Sequence, residues 1–181
     1  MAENSAVKFS MGMQLICVPF LKGAESMNIK TYELILDAET KHTSLQVQDS
    51  FSYGSTYFTT PLSVFTMMTE VFHLDTKADE YVYLGAFDNK MKLMGIFEVS
   101  HGTGNASLLD PRGVYMRALQ IGASRIMLIH NHPSGMPLPS REDFHVCKRM
   151  KKAGELVGIP LVDFIIIGNN DFTSFQEKEL L

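Results

Sequence analysis

The chain has 181 residues, 45% of them apolar and 20% charged, with a formal net charge of -4. That length and composition suit a globular domain with a full core and exclude wholesale disorder or a fibrous chain. The acidic balance offers no global basic field for nucleic acid or an anionic membrane, and two cysteines, Cys17 and Cys147, cannot make a disulfide scaffold, so a reduced, cytoplasmic setting is expected.

No apolar run approaches the roughly 20 residues that cross a bilayer, so no membrane partner is expected. The N-terminal stretch lacks a basic start followed by a clean apolar segment and reads as mature protein. In chain order, Met13 to Leu21, Thr31 to Leu36 and Thr43 to Val47 alternate as strands. Residues 1–57 therefore read as a β-rich N-terminal extension, and 58–181 as the main domain. Thr60-Pro61 opens a helix with a good N-cap and a proline tolerated at the first position. Leu62, Phe65, Met68 and Phe72 form its expected buried stripe.

Tyr81 to Phe87 and Met91 to Val99 read as a hairpin around the turn Asp88-Asn89-Lys90. Asp110-Pro111 opens a second helix, which Gly122 ends. Arg125 to His130 is a short strand, followed by a segment too rich in proline and glycine for regular structure. Ser140 begins a third helix that stops near Gly158-Ile159-Pro160, with Phe144, Cys147 and Met150 as its core stripe. Leu161 to Ile167 is a continuous apolar run suited to a strand covered on both faces, and Phe172 to Phe175 a last strand. The order predicts an α/β (α+β) domain with a mixed central sheet flanked by helices.

His130 and His132 are two apart, so a continuing strand points both imidazoles to one face and Asn131 to the other. The third helix can return the carboxylate of Asp143 to them. Two histidines, an aspartate and a water make an open tetrahedral zinc site of the catalytic kind. Such a site needs an acid nearby that is not itself a ligand. Glu98 is the candidate, because it interrupts the apolar run Gly95 to Val99, a setting suited to a general base near neutrality. Ser140 can donate to the oxyanion of a tetrahedral intermediate. On the bland reading, Ser140-x-x-Asp143 is a helix capping arrangement and Glu98 a structural partner of Arg112, Arg117 or Arg125.

Glu98, His130-x-His132, seven residues, then Ser140-x-x-Asp143 resembles the metal-binding motif of JAB/MPN (JAMM) domains. His130-Asn131-His132-Pro133-Ser134-Gly135 resembles the signature of the RadC-like branch, as do Ser100-His101-Gly102-Thr103, Pro111-Arg112, Ala153-Gly154 and Asp163 to Gly168. The resemblance covers about the last two thirds of the chain. It implies one Zn2+ held by His130, His132 and Asp143, Glu98 as the acid/base, Ser140 at the oxyanion, and a cytidine-deaminase-like architecture. It implies a metallopeptidase acting on a peptide or isopeptide-linked protein. The branch's DNA-repair name implies the alternative, a metal-containing binding module for DNA or a DNA-processing partner. The branch usually carries an N-terminal helix-hairpin-helix element, which residues 1–57 lack in sequence.

His101 follows the strand, where it could line the cleft as a substrate contact without being assigned that role, and His145, two past Asp143, falls on a different helix face. Lys148, Arg149, Lys151 and Lys152 read as a solvated helix face. Without H-E-x-x-H or P-C-x-x-C, the chain is neither a thermolysin-like peptidase nor a zinc nucleobase deaminase.

Overall fold

A computed structural model describes residues 27–55, 57–102 and 109–181, the side chain of Met27 apart. The strand expected over Met13 to Leu21 lies outside the described residues. Eleven elements follow in order. They are β1 (Met27–Leu36), β2 (Thr43–Tyr53), α1 (Pro61–Phe72), a 3-10 turn (Leu74–Thr76), β3 (Glu80–Phe87), β4 (Leu93–Gly102), α2 (Pro111–Gln120), β5 (Arg125–Asn131), α3 (Arg141–Val157), β6 (Leu161–Ile167) and β7 (Phe172–Ser174). The strands form one seven-stranded mixed sheet in the order β2-β1-β4-β3-β5-β6-β7.

The parallel pairs are β1 with β4 and β5 with β6; the other neighbours run antiparallel. Helices α2 and α3 cover one face, where Val114, Ala118, Val146, Cys147 and Met150 pack on Val82, Leu84, Leu128 and Ile166. Helix α1 covers the other, with Val64, Met67 and Met68 on Tyr83, Ile129 and Ile165. Central strands covered on both faces explain the unbroken apolar runs of β5 and β6.

The caps behave as the sequence predicts. Thr60 and Ser63 make a reciprocal capping box, and the Asp110 side chain accepts from the Arg112 N–H. Gly158 closes α3 in the left-handed conformation. Two stripes differ from expectation. In α1 the buried positions are Val64, Met67 and Met68, while Leu62 in the first turn projects into solvent. In α3 Phe144 is 43% exposed and Val146 takes its place in the core. Phe144 keeps its edge against Phe175, 5.3 Å between centroids.

Candidate metal centre

β5 is buried along nearly its whole length and ends where its parallel neighbour β6 also ends. The His132 N–H still bonds the Ile167 carbonyl at 2.9 Å, so extended geometry persists one residue past the strand. His130 and His132 therefore share a face, with ring centroids 4.8 Å apart. Each ring has its Nδ1 against a main-chain carbonyl, Tyr81 at 3.2 Å and Met136 at 2.9 Å. A carbonyl only accepts, so in the neutral form of each ring Nδ1 carries the proton and Nε2 keeps its lone pair for a ligand; His132, whose charged form Asp143 favours, gives up its Nε2 proton to bind one.

Asp143 enters from the first turn of α3 and is buried. Its Oδ1 lies 3.6 Å from His130 Nε2 and its Oδ2 3.4 Å from His132 Nε2. Oδ2 also accepts from the Ser140 N–H at 2.7 Å and the Ser140 hydroxyl at 2.6 Å. Ser140 thus holds the carboxylate in place. The three donor atoms lie within 4.8 Å of one another. Ligands about 2.0–2.1 Å from a tetrahedral zinc sit about 3.4 Å apart, so the two His–Asp distances already match a metal site and the widest separation would have to close.

Burial holds the His130 imidazole below the ordinary histidine range, outweighing the pull of Asp143. His132 is raised, first by its hydrogen bond to Asp143. Burial pushes the Asp143 carboxyl up, but the bonds from His132 and Ser140 and the charge of His130 bring it below its usual value. A neutral His130 and an ionised Asp143 are the forms that bind metal.

The family profile described as RadC-like JAB domain matches residues 58–180, a span that contains all three donors. The chain belongs to the RadC-like JAB family. It is 38% identical over 126 residues to a UPF0758 protein of Pelobacter propionicus, covering 68% of this chain and 53% of that protein. A UPF0758 protein of Geobacter sulfurreducens is 39% identical over 124 residues, covering 68% of this chain and 53% of that protein. One from Clostridium kluyveri is 45% identical over 102 residues, covering 56% and 45%. The chain spans about half the length of these curated relatives. No described helix of this RadC-like JAB chain is long and apolar enough to cross a membrane.

Within the RadC-like JAB domain, the acid expected at Glu98 stands elsewhere than predicted. Its side chain is 45% exposed rather than buried, and its contacts are the Tyr83 hydroxyl at 3.5 Å and His101 at 3.8 Å, not an arginine. Glu98 pairs with Tyr83, which faces α1, whereas His130 pairs with Val82, which faces α2 and α3. The structure does not bring Glu98 to the triad. His101 stacks on Tyr81 at 4.1 Å and sits on the α1 side as well, so it does not line the triad.

Glu80 is the residue that sequence reasoning missed. It shares a face with Val82 by strand alternation, and Val82 is the partner of His130, so Glu80 stands on the imidazoles' face of the sheet. Its charge raises both imidazoles. A signal existed in the sequence: Glu80 opens the apolar run Glu80 to Phe87 in the same alternating set as Val82, Leu84 and Ala86, which face the core.

Proposed function

We propose that the chain is a metal-dependent hydrolase of amide or isopeptide bonds in a peptide or protein substrate. The observation that carries this reading is the convergence of two Nε2 atoms and one carboxylate, each fixed by a second bond, on the face that also holds Glu80. Three protein donors leave a position open, the arrangement of catalytic rather than structural zinc sites. A bound Zn2+, one per chain, would acidify a water and polarise the scissile carbonyl. Glu80 takes the proton of the attacking water and passes it to the leaving amine. Ser140 orients Asp143, and its hydroxyl could serve as a donor to an oxyanion once that bond turns outward. The catalytic unit is residues 58–181, with 1–57 as its β-rich extension, working in the cytoplasm.

Metal content by mass spectrometry, wild type against His130→Ala/His132→Ala, tests the site. About one zinc per chain, lost in the variant, is expected. Peptides and isopeptide conjugates are then screened with the zinc-loaded protein. Glu80→Gln is expected to keep zinc and lose turnover, and Glu98→Gln to keep both. Absence of zinc after zinc is added back would overturn the hydrolase reading.

A second reading is favoured by β2, which is an edge of the sheet among the described residues and exposes Val47. A metal-containing module could add a partner's strand there, the partner being a DNA-processing protein. Zinc binding with no turnover would leave this reading standing.

A further inference from the structure

We propose that Asn131 is a positioning residue that clasps the two peptide units flanking Glu80 and so fixes the Glu80 carboxylate on the face of the triad. The inference rests on Glu80 as the proton acceptor. Asn131 lies between His130 and His132 and is 2% exposed. Its side chain leaves the sheet on the opposite side from the imidazoles. Its Oδ1 accepts from the Tyr81 N–H at 2.7 Å, and its Nδ2 donates to the Asp79 carbonyl at 3.0 Å. These two bonds bracket Glu80, one on either side. His130 Nδ1 adds a third, to the Tyr81 carbonyl. Residues 79–81 are thus sewn to residues 130–131 by side chains.

The sewing begins where the ladder stops. The last β3–β5 pair is Val82 with His130, and beyond it β5 turns into the His132 loop. No main-chain partner from β5 is then paired with Tyr81 or Asp79. An amide on a short side chain supplies one acceptor and one donor in a fixed plane. Aspartate offers no donor when ionised, and leucine offers neither group. With the bracket gone, the first residues of β3 are held from the β4 side alone, through the pairs Glu80–Gly102 and Tyr81–His101, and a rotation about that one remaining edge turns Glu80 to solvent.

The test uses the full chain loaded with cobalt, whose visible spectrum reports ionisation beside the ion without a substrate. A carboxylate facing the ion disfavours loss of a proton there, so Glu80→Gln lowers the pH midpoint of the spectrum. Asn131→Leu, and Asn131→Ser should the leucine variant not fold, are expected to bind one cobalt per chain and to lower the midpoint in the same direction. About one pH unit is a tenfold change in proton affinity and is readily measured. In the double variant Glu80→Gln/Asn131→Ser, no further shift is expected, because both changes remove the same carboxylate from the site.

Additive shifts would overturn the inference, because Asn131 would then act on the imidazoles. Loss of cobalt binding in the Asn131 variants would overturn it for the same reason. A lowered midpoint in Glu80→Gln with none in the Asn131 variants would overturn the clasp alone. A wild-type midpoint in Glu80→Gln would overturn the role of Glu80, and the clasp with it.

Discussion

Gly168 sits far from the donors in sequence, yet the loop after His132 rests on it. A β-carbon there would overlap the Gly135 carbonyl oxygen and lie 2.7 Å from Pro137 Cδ. Both neighbours are backbone or ring atoms, so no side-chain rotation relieves the clash. Restoring an ordinary 3.4 Å contact to Pro137 Cδ alone moves the loop by about 0.7 Å, and the closer Gly135 oxygen requires more. The same displacement would stretch the bond between His132 Nδ1 and Met136 O from 2.9 Å to about 3.6 Å, beyond a hydrogen bond. It would also strain the bond from the Asn169 N–H to Gly135 O, now 2.8 Å. Gly168→Ala is therefore expected to cost about 2–4 kcal/mol of stability, from overpacking and one weakened hydrogen bond. Loss of the His132 orienting bond is expected to weaken zinc affinity by about 10–100-fold. Urea unfolding gives the first quantity and chelator competition the second. Gly122→Ala is the control, since Gly122 has φ +73 and no neighbour within 4 Å of an added β-carbon. It should lose about 1–2 kcal/mol to left-handed strain and keep zinc affinity. Wild-type zinc affinity in Gly168→Ala would refute the coupling between this glycine and His132.

Burial raises the Asp163 carboxyl above its usual 3.8, against the bonds from Ser174, Gln176 and Phe164. Below 3.8 its contribution to stability is complete, and it is lost as pH rises through the higher folded value, because there the native state holds the extra proton. Asp163→Asn should therefore gain stability relative to wild type from pH 3.5 to 7 in urea titrations; a constant difference would refute the sign. Tyr115 donates to the Met150 carbonyl at 2.8 Å and ties α2 to α3. That carbonyl is also a helix acceptor, so Tyr115→Phe should cost only about 1 kcal/mol, a melting shift of about 2–4 °C by calorimetry. Cys147 is buried and its thiol is pushed up to about 11 by that burial, so peptide mapping should find it alkylated at neutral pH only after unfolding.

The elements were legible because their punctuation is chemical and local. Thr60, Asp110 and Ser140 each accept from an N–H of the following turn, as short oxygen-bearing side chains before a helix do. The three donors were legible for a similar reason: alternation along β5 and a capping box on α3 are short-range geometry. What failed was the face of Glu98, and the cause lies between strands. Ser100 pairs with Val82, so regular alternation would pair Glu98 with Leu84 and turn it toward the triad's face. The register instead slips between Val82 and Tyr83, leaving Val99 unmatched, and Glu98 meets Tyr83. One extra residue in a strand exchanges the two faces for every residue beyond it. Composition near Glu98 carries no mark of that slip, since Phe97 and Val99 flank it with apolar side chains whichever way it points. Strand β3 has no such interruption between Glu80 and Val82. The acid that reaches the triad's face is therefore the one whose alternation to a residue paired with His130 is unbroken. Among the acids of β3 and β4, Glu80 alone meets that condition.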